Sequence, residues 1–322
     1  MNSLCPRILF CSLSAKYALY KEVERNALKF SSNVSVIGCD SNPNCEAASS
    51  VDDFIVLPNL KSINNTKILE VCKKNRITHI LPTRDAELAF WAAKKVFLQK
   101  HGIQAWVSEL PFIKSCDDKL TFFEYWEDSV ITPIQTFQVI NPNLYDRWVI
   151  KKRVGSGSQK LWLNLSKDEA ISVSSNLNNE FVFQPFIEGR EFTAEAWVSN
   201  RDTCHGPILR WREKVVDGES HCTTLFQNIE WEELIRKLFL HIPGARGHCL
   251  AQVIVDKDDH LHLVEINPRL GGASPLALRA GLNSITWHLL EESGSSKCIP
   301  SHPQFPTGMS LTKINGVVTF NF

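Results

Sequence analysis

In the run Leu263-Val264-Glu265-Ile266-Asn267-Pro268-Arg269-Leu270-Gly271-Gly272, a carboxylate, a carboxamide and a guanidinium recur at every second position. An extended chain turns alternate side chains to one face, so Glu265, Asn267 and Arg269 can project into one cavity. Carboxylate and amide oxygens suit Mg²⁺, and a guanidinium fork suits a phosphate. A second strand-like run, Leu250 to Asp256, lies just upstream, joined through the polar turn Lys257-Asp258-Asp259-His260. Folded as a hairpin, the two runs bring Gln252 beside Glu265. Gln252, Glu265 and Asn267 are therefore the candidate metal ligands, set beside a triphosphate.

Three further runs carry chemistry. Val149-Ile150-Lys151-Lys152-Arg153 ends in a basic cluster and passes into Val154-Gly155-Ser156-Gly157-Ser158-Gln159-Lys160. Glycines let backbone N–H groups converge on an anion, serines add donors, and Lys151 would set an ammonium against a phosphate. The spacing is not that of a Walker A loop, and a Gly-Ser loop alone is more often a plain turn. The apolar run Phe181-Val182-Phe183 leads into Gln184-Pro185-Phe186-Ile187, a bend whose backbone can pair with an adenine edge. Glu188 or Glu191 beyond it can accept from ribose hydroxyls, although an ordinary hairpin has the same pattern. Arg210 and Arg212 share a strand face, which suits a carboxylate or acyl phosphate as well as a solvated charged strand. Arg279 is a weaker candidate on a helical pattern. His260 and His262 also share a face but read as surface residues, and the nine tryptophans read as packing.

Two textures must position these groups. From Arg7 to Val107 short apolar runs alternate with helical patterns: strands over Arg7–Leu13, Val34–Asp40, Asp53–Pro58, Ile77–Pro82 and Gln104–Val107, with helices over Ala15–Phe30, Ile63–Asn75 and Asp85–Gly102. This predicts a small parallel sheet with helices on its faces. After a helix ending at Trp126 the chain reads as antiparallel-rich α+β. Strands are expected over Arg147–Arg153, Lys160–Asn164, Phe181–Ile187, Glu191–Ser199, Gly206–Val216, Leu250–Asp256 and His260–Ile266. Helices are expected over Ser166–Ser175 and Glu230–His241. The first strand is followed by Ser12-Leu13-Ser14-Ala15-Lys16, with no glycine-rich fingerprint, so Asp40 does not mark a dinucleotide site.

The bulk numbers bound the rest. The chain has 322 residues, 43% hydrophobic and 22% charged, with 35 acids balancing 35 bases. A neutral balance gives no reason to expect nucleic acid or a membrane as partner, so any anion site is local. No apolar run is long enough to span a bilayer or act as a signal peptide. Ten scattered cysteines without metal-type spacing read as buried thiols in a reducing cytoplasm.

Taken in order, these runs resemble the ATP-grasp superfamily, in its carbamoyl-phosphate-synthase-large-chain-like branch of stand-alone ligases. Glu265-Ile266-Asn267-Pro268-Arg269-Leu270-Gly271-Gly272 is the most specific element. Pro82-Thr83-Arg84-Asp85-Ala86-Glu87-Leu88 and Asp118-Lys119-Leu120 add to it. The resemblance implies an α/β plus α+β chain: a Rossmann-like pre-ATP-grasp domain over 1–114, then a two-subdomain ATP-grasp module over 115–322, divided near 187. It implies ATP and Mg²⁺ (or Mn²⁺) as cofactors, small-molecule carboxylate and amine substrates, ADP-forming ligation, and is compatible with a homodimer. Lys119 and Lys151 would contact phosphates, and Gly155, Ser156, Gly157 and Ser158 would cover them. Gln184, Pro185, Phe186 and Ile187 would be the adenine hinge and Glu191 the ribose partner. Gln252, Glu265 and Asn267 would hold metal, and Arg269 would stabilise the transferring phosphoryl group. The resemblance also turns Arg210 and Arg212 toward the substrate pocket. Lys152 stands where the family usually has proline, Pro185 where it often has glutamate, and Gln159-Lys160 where a further glycine is common. Those departures keep a non-catalytic nucleotide binder as an alternative; one subunit of a larger carbamoyl-phosphate-synthase-like complex is a second.

Overall fold

The structure, a computed structural model, describes residues 5–155 and 160–322. Its first part runs β1 (Arg7–Phe10), α1 (Tyr17–Leu28), β2 (Ser35–Asp40), β3 (Phe54–Val56), α2 (Asn65–Lys74), β4 (His79–Leu81), α3 (Asp85–Gln99) and β5 (Gln104–Ala105). The five strands form a parallel sheet in the order β3-β2-β1-β4-β5. The strands are apolar because both faces are covered. Leu9, Ile37 and Ile80 pack with Ile68 and Trp91 on one side. On the other, Ile8, Phe10 and Leu81 pack with Tyr20 and Val23 of α1. Strand order reverses between β1 and β4, which opens a crevice at their carboxyl ends. The expected first strand stops three residues early, because Ser12 adopts φ 58° and turns the chain out of the sheet.

Helices α4 (Leu110–Asp117) and α5 (Lys119–Trp126) lead into a three-stranded antiparallel sheet, β7-β6-β8. It is built from β6 (Arg147–Lys152), β7 (Trp162–Ser166) and β8 (Phe181–Pro185), with α6 (Lys167–Ser174) packed on it. β7 sits two residues later than its sequence pattern suggests. Its last residue, Ser166, also caps α6 in a reciprocal pair with Glu169.

The remaining chain forms β9 (Gly189–Val198), β10 (Cys204–Val216), β11 (Glu219–Phe226), α7 (Ile229–His241), β12 (Gly247–Asp256), β13 (Leu261–Asn267), α8 (Ser274–Arg279), α9 (Ser284–Glu292), β14 (Ser310–Ile314) and β15 (Val317–Asn321). These strands make a seven-stranded sheet in the order β13-β12-β9-β10-β11-β14-β15. Phe192, Ala194 and Ala196 of β9 face Ile235, Leu238 and Phe239 of α7. The sequence pattern flags neither β11 nor the β14–β15 hairpin. Glu219–Phe226 is rich in His, Cys and Thr, and its place comes from its long pairing with β10. Trp91, Trp148 and Trp197 are fully buried, as packing residues.

The two halves are joined through α1. Its apolar cluster continues into Leu270, Leu278, Ile285 and Leu289 from the far end of the chain. Asn26 of α1 also caps α9 from outside: its Oδ1 accepts from the N–H groups of Ile285 and Thr286, each at 3.1 Å. Its Nδ2 donates to Asn283 Oδ1 at 2.9 Å. Asn26→Ala leaves buried helix-terminal donors unmatched, and we expect it to cost about 1–3 kcal/mol in urea unfolding. An unchanged unfolding midpoint would show that this cap does not hold the halves together.

Candidate active site

The β12–β13 hairpin forms as its sequence suggests, with Gln252 directly opposite Glu265. The strands do not alternate strictly, however. Val253 pairs with Leu263, so Val264 is an extra residue, and the bulge re-aims the side chains around it. Leu263 is tied to the loop before β6: it donates to Thr132 O at 3.0 Å and accepts from Ile134 N at 2.9 Å. Arg269 lies beyond β13, in a tight turn closed by its own N–H on Asn267 O at 2.9 Å.

Two cavities meet at this hairpin. The first, about 530 Å³, lies between the small sheet and the large one. Lys119, Lys151, Gly155, Gln184, Pro185, Phe186, Ile187 and Glu191 all line it. The second, about 430 Å³, lies between the parallel-sheet domain and the large sheet, and contains Arg210, Asn267 and Arg269. Arg212, Gln252 and Glu265 line both, so the oxygen donors stand in the shared wall. A larger hollow of about 670 Å³, bounded by Trp231 and His260, holds none of the candidate residues. His262 and His260 converge instead on Asp256 at the hairpin turn, 2.8 and 3.5 Å from its Oδ2. Of the predicted loop, Gly155 takes φ 112°, while Ser156, Gly157 and Ser158 lie outside the described residues.

In the first cavity Asp118 caps α5, accepting from Leu120 and Thr121 N–H groups, and pairs with Arg153 at 2.8 Å. That places Lys119 at the first turn, where its Nζ donates to Gly155 O at 2.8 Å. Burial, with the nearby charge of Lys119, lowers Lys151 to about 8. The Gln184 side chain is turned away, with its Nε2 on Thr136 Oγ1 at 2.7 Å. Its backbone is paired with Val149 of β6. Pro185 has no N–H, and that of Phe186 donates to Arg147 O at 3.0 Å. Ile187 thus keeps the hinge N–H that has no backbone partner among the described residues. Burial raises Glu191 against the opposing pull of Arg212, which pairs with it at 2.9 Å.

The second cavity is a set of ion pairs. Arg269 forks onto Asp85 of the parallel-sheet domain, Nε to Oδ1 and Nη2 to Oδ2, both at 2.5 Å. Arg210 is buried and pairs with fully buried Glu195 at 2.7 Å, and His248 Nε2 meets the other oxygen at 2.9 Å. Burial alone would raise Glu195, yet Arg210 and His248 hold it down at about 2. Arg210 and Arg212 do share a face, and both donate to Ser220 Oγ. Each is already committed to a glutamate. Arg279, by contrast, is paired with Glu22 of α1 and joins the domains.

Lys16, Arg84 and Asp85 also line the second cavity, with no individual role legible from their sequence positions. Asp85 lies inside a run already singled out, but its partner is 184 residues away. Lys16 had no signal beyond following a strand.

The ATP-grasp domain model matches residues 116–273, and the PylC-like, N-terminal domain model matches residues 8–106. Comparison with curated proteins gave no match. Among solved structures, the biotin carboxylase domain dimer of Hydrogenobacter thermophilus 2-oxoglutarate carboxylase, in complex with MgADP, ADP and bicarbonate, superposes with a TM-score of 0.75. Identity is 14%, over 96% of this chain and 74% of that one. N5-carboxyaminoimidazole synthetase from Staphylococcus aureus, complexed with ADP, gives 0.72 at 16% identity, covering 97% and 84%. Campylobacter jejuni biotin carboxylase, in its β-γ-ATP complex, gives 0.72 at 12%, covering 96% and 75%. All ten cysteines are free, and among the described residues no helix is long and apolar enough to cross a membrane. The chain carries a PylC-like N-terminal domain followed by an ATP-grasp domain, and it shares the fold of biotin carboxylase and N5-carboxyaminoimidazole synthetase.

Proposed function

We propose that this protein is an ATP- and Mg²⁺-dependent ligase that activates a carboxylate as an acyl phosphate for attack by an amine or other nucleophile, releasing ADP and phosphate. One observation carries the reading: two cavities share a wall made of Gln252 and Glu265. A nucleotide in the first would present its terminal phosphate to an acid in the second.

The donor set fits a hard cation. Asn267 Nδ2 donates to Glu265 Oε1 at 2.8 Å. Asn267 Oδ1 and Glu265 Oε2 have no protein donor among the described residues. One carboxylate with two carboxamides leaves room for phosphate oxygens, as Mg²⁺ prefers. Bound there, Mg²⁺ would neutralise charge building on the transferring phosphoryl group. Lys119 and Lys151 would hold the phosphates, and the Ile187 N–H with the Pro185 carbonyl would meet the base. Glu191 keeps one oxygen for a ribose hydroxyl. Arg269, oriented by Asp85, would steady the acyl phosphate from the acceptor side.

The test is ADP release from Mg-ATP over a matrix of acids and amines. A ligase shows turnover that needs one member of each set. Release that no added acid increases would remove the ligase, and no release at all with Mg-ATP bound would leave a nucleotide binder.

Lys151 also sets a pH dependence. Phosphate binding favours its charged form, so Mg-ATP affinity should be full below pH 8 and fall as pH rises through about 8. The loss should approach about tenfold per pH unit. Lys151→Arg should flatten that fall in calorimetry; a fall that persists would place the titrating group elsewhere.

A further inference from the structure

The acceptor cavity carries a cation that the ligase reading leaves unused. Lys16 stands at the N-cap of α1, and the packing of α1 against the far end of the chain fixes where it lies. Its Nζ donates to Thr83, to the carbonyl oxygen and, at 3.0 Å, to Oγ1. Among the described residues no carboxylate pairs with it. Its neighbours Glu87, Asp85 and Glu219 are engaged elsewhere, Glu219 with Lys313 at 2.8 Å. Glu87 accepts from the backbone N–H groups of Thr83 and Arg84 at 2.8 and 3.0 Å. Asp85 holds Arg269. Arg269 and Arg84 add positive charge on the same side, and burial together with Arg269 lowers Lys16 to about 8. An ammonium has three donors, and two are accounted for. A half-buried charge with no carboxylate in direct contact is incompletely compensated, and a ligand that brings one supplies the missing partner.

We infer that Lys16 is the docking point for an anionic group of the acceptor substrate, a carboxylate or a phosphate, held on the N-terminal-domain side of the second cavity. Arg84, exposed at the rim of the same cavity, draws the anion in. The inference rests on the ligase reading for calling this the acceptor cavity. Its chemistry does not depend on nucleotide binding.

The test uses the full-length protein carrying ¹³C at the lysine Cε, with Mg-ADP present. Lys16→Arg and Lys151→Arg assign the two resonances. Glutarate and inorganic phosphate are the probes, and glutaramide is the neutral control. An anion should shift the Lys16 resonance saturably and raise its midpoint from about 8 toward the ordinary 10.5, while glutaramide leaves it alone. A response to glutarate only assigns a carboxylate group, and a response to phosphate only assigns a phosphorylated acid. Lys16→Met should weaken probe binding by about tenfold or more, and Lys16→Arg should largely keep it. A purely structural lysine would not answer anions. The inference falls if Lys16 ignores both probes, or if Lys16→Met binds them as the parent does. If Lys16 responds but Lys151 ignores Mg-ADP, the nucleotide reading fails and this one stands.

Discussion

Glu265→Ala is expected to lower Mg²⁺-dependent ADP formation by about a hundredfold or more, a loss of the size expected when charge stabilisation is removed from a phosphoryl-transfer site. Glu265 is the one carboxylate among the three candidate donors, and it stands in the wall between the two cavities. Its removal also frees Asn267, whose amide loses its 2.8 Å acceptor and with it a fixed orientation. Glu265→Gln keeps size and shape but not charge, and should fall nearly as far. Neither change touches the core, since Glu265 is only half-buried, so both variants should melt close to the parent. Steady-state ADP release at saturating Mg²⁺, read beside a thermal melt, checks both statements. A Glu265→Ala protein that turns over at the parental rate would remove the metal assignment and the ligase with it.

Glu195→Ala should act on stability instead. It strips the counter-charge from Arg210, only 3% exposed, and leaves that guanidinium with Ser220 and Thr223 hydroxyls. Breaking a buried pair from one side costs about 3–5 kcal/mol, because the remaining charge stays desolvated. Replacing both members, as Glu195→Leu with Arg210→Met, should recover most of that loss in urea unfolding. If the single and double variants are equally unstable, packing at β9 and β10 is responsible, not the ion pair. The pH dependence has a definite sign. Glu195 is held at about 2, below its value in the unfolded chain, so its contribution is complete above the ordinary carboxylate range. That contribution is lost as pH falls from there through about 2.

The expected stability loss shows why Arg210 and Arg212 read ambiguously in the sequence. Two arginines on one strand face predict an anion site as readily as a solvated strand. Their partners, Glu195 and Glu191, sit on the neighbouring strand, and only the β9–β10 register pairs them. The hinge shows the same limit: Gln184 to Ile187 was recognisable as a bend, but the direction of the Gln184 side chain depended on Thr136.

What the chain alone determined was local. Period-two spacing put Glu265 and Asn267 on a strand, and a short polar turn put Gln252 opposite Glu265. The alternation of apolar runs and helical patterns specified a parallel sheet, since strands covered on both faces must be apolar throughout. What tertiary structure decided was every contact that closes the acceptor side. Arg269 to Asp85, Asn26 to α9 and Lys16 to Thr83 join residues between 67 and 260 positions apart. Periodicity registers which face of an element is apolar, but carries no information about which distant face it meets. The second cavity lies between the parallel-sheet domain and the large sheet, so it forms only where those distant segments meet.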